Sequence, residues 1–142
     1  MIKHLLRLMG IKCAVAGIIL KGNKVFLTKR SKGIADGGKW CLPGGGVKKW
    51  ERAEDAMGRE IKEETGFNAK RAKFLFYHDE FVGRLNLHAL VLVFRVETDG
   101  IGKSNWEVSD SGWFSRRQIA KLDLAFTHRE ILEKFWRKWN ED

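Results

Sequence analysis

Proline, cysteine and long apolar runs are all scarce in this chain of 142 residues, which contains one proline and two cysteines. Cys13 and Cys41 cannot build a disulfide framework, so the sequence favours a reducing compartment and a cytoplasmic protein. No apolar run reaches the roughly 18 residues of a membrane span, and the N-terminus lacks a signal-peptide pattern. Cysteine and histidine do not recur at zinc-site spacing. These absences argue against disulfide-rich, membrane-spanning and zinc-binding classes.

The length and the lack of linkers or repeats predict a single domain over residues 1–142. Residues 1–10 form a possible N-terminal extension, and their apolar side chains would suit a homodimer interface. The net charge is +9, and a basic rim can steer small polyanions or bind nucleic acid. No nucleic-acid-binding motif accompanies it, so we favour a small nucleotide substrate and keep nucleic acid as the alternative. The basic residues around the glycine run are Lys29, Arg30, Lys32, Lys39, Lys48 and Lys49.

The order of apolar runs predicts an α/β fold, a mixed sheet with helices on its faces. Strands are expected at 13–20 and 24–28, joined as a hairpin by residues 21–23, and at 73–78 and 85–96, separated by a charged loop at 79–84. A helix is expected over about 51–65. Capping boxes predict two more helices, from Ser115 (S-x-x-Q) and from Thr127 (T-x-x-E). The last helix has an apolar face of Ile131, Leu132, Phe135 and Trp139.

The helix over 51–65 carries a stripe that begins apolar and ends in three carboxylates. At about 100° per residue, one side collects Ala53, Ala56, Met57 and Ile61 together with Glu60, Glu63 and Glu64. Three carboxylates this close repel one another unless a cation lies among them. Oxygen ligands favour a hard ion, so we expect Mg²⁺, with Mn²⁺ as a substitute. The alternative is an ordinary charged helix with an Arg59–Glu63 pair.

A run of three glycines, Gly44, Gly45 and Gly46, precedes this helix. Glycine tolerates positive φ and lets a ligand approach the backbone closely. Leading towards a helix N-terminus, the run could present N–H groups to phosphate oxygens, with Arg30 and Lys39 as further phosphate partners. The alternative is a plain turn.

Residues 45–67, GGVKKWERAEDAMGREIKEETGF, follow the spacing G-x5-E-x7-R-E-I-x-E-E-x-G and resemble the Nudix box. On this motif the chain is identified as a member of the Nudix hydrolase family. The resemblance implies an α/β/α sandwich from about residue 11 to the end. It also implies metal-dependent hydrolysis of a nucleoside diphosphate linked to another group, X-P-P-Y.

The same resemblance implies roles for individual residues. Glu60 and Glu64 resemble the glutamates that bind the divalent metal, and Glu63 is a further ligand or the base that activates water. Which glutamate is the base stays open. Arg59 resembles the arginine that orients a box glutamate. Many members add a carboxylate from outside the box, for which the candidates are Asp110 and Glu107.

The substrate is less well specified. Residues 124–132, LAFTHREIL, resemble the L-A-F-D-H-x-x-I-L segment of ADP-ribose pyrophosphatase-like members, with Thr127 in place of the usual acid. We therefore expect ADP-ribose or a related nucleotide derivative. The alternatives are a pyrophosphohydrolase for ordinary or oxidised nucleoside triphosphates, and a non-catalytic nucleotide sensor or RNA-associated module. A base needs an aromatic stacking partner, and the candidates are Trp40, Phe81 and Trp106.

Overall fold

A computed structural model describes residues 10–103 and 105–139. The predicted extension at 1–10 lies outside the described residues except for Gly10. The strands are β1 (Lys12–Ile18), β2 (Leu20–Lys21), β3 (Lys24–Arg30), β4 (Trp40–Cys41), β5 (Gly44–Gly46), β6 (Asn68–Val82), β7 (Leu87–Asp99) and β8 (Val108–Ser115). The helices are α1 (Ala53–Thr65), α2 (Arg116–Ile119) and α3 (His128–Lys138), and a 3-10 turn covers Gly83–Leu85.

The strands form two sheets that helices cover. One sheet has the order β5-β1-β7-β6, in which β1 and β7 are parallel and the other pairs antiparallel. The other sheet has the order β2-β3-β4, and β8 also pairs with β3. This mixed α/β architecture confirms the predicted fold class. Within the described residues, no helix has the length and apolarity needed to cross a membrane.

Two apolar clusters fix the helices against the strands. Met57 and Ile61 of α1 pack with Phe94 of β7 and Phe26 of β3. A second cluster contains three buried residues of the predicted apolar face of α3, together with residues of β1, β6 and β7. Trp139, the fourth residue of that face, is partly buried and stacks on Phe135 with 5.5 Å between ring centroids. The helical periodicity therefore predicted the buried faces of α1 and α3 correctly.

The first predicted strand divides between the two sheets. Residues 12–18 form β1, whereas Leu20 and Lys21 turn away to form the predicted hairpin with β3 around Gly22, whose φ is 61°. The prediction of a charged loop at 79–84 was wrong in its first part, because β6 continues to Val82. Its last residues alternate, with Glu80 and Val82 buried and Phe81 exposed. Glu80 can be buried at this position of β6 because its carboxylate is hydrogen-bonded.

The helix boundaries test three local predictions. The Ser115 capping box is confirmed, since Ser115 Oγ accepts from the Gln118 N–H at 3.2 Å and Gln118 Oε1 accepts from the Ser115 N–H at 2.8 Å. The Thr127 box was wrong: its side chain makes no cap to α3, because the hydroxyl donates to Glu80 Oε2 at 2.6 Å. Gly66 ends α1 with φ 77°, which agrees with the predicted end of the helix at about residue 65.

Candidate active site

A cavity of about 510 Å³ lies against the first sheet. Its walls come from β1, β5 and β7, from the inner side of α1, and from the segment that leads into α3. Glu60 and Glu64 line it beside Gly44–Gly46, while Phe126 and His128 line it from the α3 side. Residues far apart in sequence therefore share one open cavity that is large enough for a nucleotide.

Glu64 is the most buried carboxylate of the box, with 4% of its surface exposed. The N–H of Gly44 donates to its Oε1 at 2.7 Å, which ties α1 to strand β5. Burial raises the pKa of Glu64 to about 8, and the charges of Glu60 and Glu107 add to the effect. A carboxylate in this position is unstable as an anion unless positive charge is close.

Glu60 lies one helical turn earlier and lines the same cavity. Its Oε1 accepts from Arg59 Nη1 at 2.8 Å. Burial raises the pKa of Glu60, and the Arg59 guanidinium opposes that rise. Gly45 is required here for space, since a Cβ at this position would lie 2.5 Å from Glu60 Oε1.

Arg59 joins the helix to the loop that precedes it. Its Nε and Nη2 donate to the two carboxylate oxygens of Glu51 at 2.8 and 3.0 Å, and Nη2 also donates to the Gly46 carbonyl at 3.0 Å. The hydrogen bonds from Arg59 lower the pKa of Glu51 to about 2. A hydrogen bond from the Lys48 N–H to Glu51 adds to this effect. Arg59 thus orients Glu60 and holds the glycine strand, while Glu51 holds Arg59.

Glu63 lies outside this group. It is exposed and does not line the cavity, and its oxygens are 3.3 and 3.4 Å from Arg59 Nη1. The structure therefore brings Glu60 and Glu64 together in the cavity. It leaves Glu63, the third carboxylate of the predicted stripe, outside the cavity.

The two candidate acids outside the box are placed differently. Glu107 lines the cavity, and its charge raises the pKa of both Glu60 and Glu64. Asp110 lies on β8 opposite Lys29, is exposed, and accepts a hydrogen bond from the Ser111 N–H at 2.8 Å. Glu107 is thus the acid that faces the box glutamates.

A divalent cation fits the chemistry of this group. In the described ranges, no three histidine, cysteine, aspartate or glutamate side chains are already arranged as a metal-binding cluster. The carboxylates of Glu60, Glu64 and Glu107 nevertheless line one cavity, and the charge of Glu107 adds to the rise in the pKa of Glu60 and Glu64. All the available ligands are oxygens, which suits a hard cation.

The glycine strand does not have the conformation that was expected of it. Gly44, Gly45 and Gly46 line the cavity as strand β5, and none of them has a positive φ. The small side chain is needed for close packing instead: a Cβ on Gly44 would collide with the Val15 carbonyl of β1. The Gly44 N–H is already bonded to Glu64.

The two basic candidates also separate. Arg30 lines the cavity, where its Nε donates to the Ala35 carbonyl at 2.7 Å. Lys39 does not line it, and its ammonium lies 3.9 Å from carboxylate oxygens of both Asp36 and Asp123.

None of the three aromatic candidates lines the cavity. Trp40 packs edge-on against Phe114 with 4.8 Å between ring centroids, and Phe81 and Trp106 are exposed. The aromatic ring that does line the cavity is Phe126, with the Arg30 guanidinium 4.8 Å from its ring centroid.

Sequence reasoning did not select three further residues that shape the cavity. Phe126 stands inside the L-A-F segment quoted above, and its φ of 52° depends on a bond from its N–H to Asp36 Oδ2 at 2.7 Å. Glu80 is buried on β6 and lines the cavity. Its signal was a period-two alternation that continued through a charged stretch. His128, which belongs to the same segment as Phe126, also lines the cavity.

Comparison with known proteins identifies the family. A model of the NUDIX domain matches residues 11–135. The chain belongs to the Nudix family.

Two relatives and one solved structure are similar to this chain. The chain is 35% identical over 125 residues to an ADP-ribose pyrophosphatase of Methanocaldococcus jannaschii, covering 87% of this chain and 72% of the relative. It is 31% identical to the nucleoside triphosphatase NudI of Escherichia fergusonii, and the match covers 67% of this chain and 74% of the relative. The crystal structure of a MutT NUDIX hydrolase from Burkholderia pseudomallei superposes with a TM-score of 0.79 at 28% identity. The superposition covers 87% of this chain and 97% of that protein. The chain is a Nudix hydrolase that acts on nucleoside diphosphate derivatives.

Proposed function

We propose that this enzyme hydrolyses the diphosphate bond of ADP-ribose or a closely related nucleotide derivative, with Mg²⁺ as cofactor. The observation that carries the proposal is the group formed by the partly buried Glu60 and the buried Glu64, which line one cavity together with an aromatic ring, Phe126. The carboxylates suit a metal-bound diphosphate. The ring suits the base.

Glu60, Glu64 and Glu107 would hold the metal, and a role of Glu63 as a further ligand or as the base would require its side chain to turn from Arg59 towards the cavity. A bound Mg²⁺ would neutralise phosphate charge and lower the pKa of a water ligand. Arg59 keeps Glu60 aimed at the cavity, and the Gly44 N–H keeps Glu64 there. Arg30, a basic group on the cavity wall, attracts the substrate phosphates.

ADP-ribose is preferred for two reasons. The relative from Methanocaldococcus jannaschii is an ADP-ribose pyrophosphatase, and residues 124–132 resemble a segment of that class. NudI, a nucleoside triphosphatase, supports nucleoside triphosphates as the second candidate. We also propose a cytoplasmic location, where the free thiols of Cys13 and Cys41 would stay reduced. A homodimer and a nucleic-acid ligand remain predictions.

A substrate panel tests the proposal. Purified enzyme with Mg²⁺ is given ADP-ribose, nucleotide sugars, dinucleoside polyphosphates, ordinary and oxidised nucleoside triphosphates and capped RNA, with EDTA in parallel. We expect AMP and ribose 5-phosphate from ADP-ribose, and no product in EDTA. Preferred turnover of triphosphates would move the assignment to the second candidate. Binding without turnover of any compound would contradict the enzymatic proposal.

A further inference from the structure

Glu80 is a buried carboxylate on β6 that lines the cavity away from the box glutamates. Its residue surface is 4% exposed. Its Oε2 accepts from the Thr127 hydroxyl at 2.6 Å and from the Thr127 N–H at 3.2 Å. Since the hydroxyl donates to Glu80, it can accept from His78 Nε2, which is 2.9 Å away. Two donors thus hold Glu80 Oε2 in place. One of them, the Thr127 hydroxyl, is itself within hydrogen-bonding distance of His78.

The other oxygen of Glu80 is left for a ligand. Within residues 10–103 and 105–139, the hydrogen bonds of this carboxylate go to Oε2, and no fully buried side-chain oxygen lacks a partner. Oε1 must therefore be accessible from the cavity that Glu80 lines. An acceptor fixed in position at a cavity wall discriminates between ligands that can donate a hydrogen bond and ligands that cannot.

His128 supplies a donor close to this acceptor. The Leu42 N–H donates to its Nδ1 at 2.9 Å, so in the neutral ring the proton is on Nε2. Burial, the largest cause, lowers the pKa of His128 to about 4, which keeps the ring neutral at physiological pH. His128 follows Thr127 in the chain and lines the same cavity. The wall therefore offers an acceptor on Glu80 and a donor on His128.

Apolar side chains also line the cavity. The Phe126 ring lines it together with Leu85, Leu87 and Ala89. Such a surface accommodates a planar ring, and its polar neighbours can contact only the edge of that ring.

Register places this end at a suitable distance from the box glutamates. Glu80 is opposite Ala89, which is opposite Lys12, whereas Gly45 is opposite Val15. Three strand spacings and a three-residue offset separate the backbones of Glu80 and Gly45 by roughly 17 Å, and the side chains shorten the gap. An extended nucleoside diphosphate spans such a distance.

We propose that Glu80 is a specificity-determining residue that recognises an amino group on the substrate base. Glu80 Oε1 accepts from the amino group, and His128 Nε2–H donates to the neighbouring ring nitrogen. Adenine has this arrangement. The inference deepens the proposed function, because the base belongs to the same substrate whose diphosphate lies at the glutamates.

Paired ligands test the role of Glu80 without turnover. Binding of ADP and of purine riboside 5′-diphosphate, in which hydrogen replaces the amino group, is measured by calorimetry with Mg²⁺ in the Glu64→Gln background. We expect ADP to bind about tenfold more tightly, the effect of one hydrogen bond to a charged group. Adding Glu80→Gln, which turns an amide N–H₂ towards the amino group, should lower the preference to about onefold by weakening ADP.

Asp79→Asn is the matched control, because Asp79 is the exposed neighbour of Glu80 on β6. It should keep the tenfold preference. Thermal unfolding checks that each variant is folded, and Thr127→Val, which removes the hydroxyl that fixes Oε2, should also reduce the preference. Equal binding of the two ligands by the Glu64→Gln protein, or a preference that survives Glu80→Gln, would overturn the inference. A preference without any hydrolysis in the substrate panel would contradict the proposed function alone.

Discussion

Glu64 is placed where its charge is useful to a bound cation and costly without one. It is buried, and Glu60 and Glu107 add negative charge to its surroundings. Its pKa is raised to about 8, whereas an unfolded chain titrates near the ordinary value of 4.5. A raised folded pKa contributes stability at low pH that is lost as the pH rises from about 4.5 towards 8.

Glu64→Gln should therefore stabilise the metal-free protein. At pH 7.5 in EDTA we expect its free energy of unfolding to rise by roughly 1–4 kcal/mol, since a neutral amide can still accept the Gly44 N–H. Urea unfolding measures the change. Glu54→Gln, the same substitution at an exposed position of α1, should change little. A destabilised Glu64→Gln protein would contradict the electrostatic account.

Gly45→Ala should lower activity more than its size suggests. The added methyl group would lie 2.5 Å from Glu60 Oε1, so Glu60 must leave its position beside Arg59. We expect a fall in kcat of at least about tenfold, in line with the sensitivity of catalysis to misplacement. Gly58→Ala is the control, because a Cβ there meets nothing closer than 3.9 Å. Equal kcat values for the two variants would show that Gly45 is not needed for space.

His128 should make the folded protein sensitive to mild acid. Its folded pKa of about 4 is below the ordinary 6.5 because the ring is buried, so its contribution is present above pH 6.5 and lost as the pH falls towards 4. Between pH 7.5 and 5, wild type should lose about 2 kcal/mol relative to His128→Asn. Urea unfolding of both proteins at the two pH values measures this difference. A constant difference between them would contradict a neutral, buried His128.

At the scale of elements, one ion pair connects the loop after β3 to the turn between β6 and β7. Both guanidinium nitrogens Nη1 and Nη2 of Arg84 donate to the Asp36 carboxylate, the second at 2.9 Å, and the Phe126 N–H donates to the same group at 2.7 Å. The Arg84 hydrogen bonds, the largest cause, lower the pKa of Asp36 to about 2. Asp36 therefore connects three segments around the cavity.

Arg84→Ala should loosen this connection. We expect the free energy of unfolding to fall, because two hydrogen bonds to the buried Asp36 carboxylate are lost. We also expect KM to rise more than kcat falls, because Phe126 contacts the substrate base in the proposed function while the glutamates are untouched. Steady-state kinetics and urea unfolding measure the two effects. Arg71→Ala, at an exposed position of β6, is the control. A loss of kcat with unchanged KM would contradict this assignment.

The elements that the sequence predicted well are those with local signals. Helix α1 and its buried side follow from a 3.6-residue period, and the Ser115 box follows from two residues three apart. The end of β6 extends the antiparallel pairing with β7, whereas the failed Thr127 box results from a bond between Glu80 and Thr127 across 47 positions. No local pattern reports such a contact.

At the scale of the whole molecule, the two sheets and α1 place the parts of the site within one cavity. The glutamates and the glycine strand were available from the motif, because the box fixes their spacing. Phe126 and the Glu80 contacts were not, since Phe126 is bonded to Asp36 and Glu80 to Thr127, which are distant in sequence. The net charge of the chain is +9, and this excess of positive charge favours the approach of anionic substrates to the acidic site.

The central claim is that Glu64 on the cavity wall is needed for divalent-metal-dependent hydrolysis of a nucleoside diphosphate derivative. The most direct measurement is kcat for AMP release from ADP-ribose with Mg²⁺, for wild type, Glu64→Gln and the exposed control Glu54→Gln. The account predicts a loss of roughly 10²–10⁴-fold in Glu64→Gln and wild-type turnover in Glu54→Gln. Turnover by Glu64→Gln at the wild-type rate would contradict it.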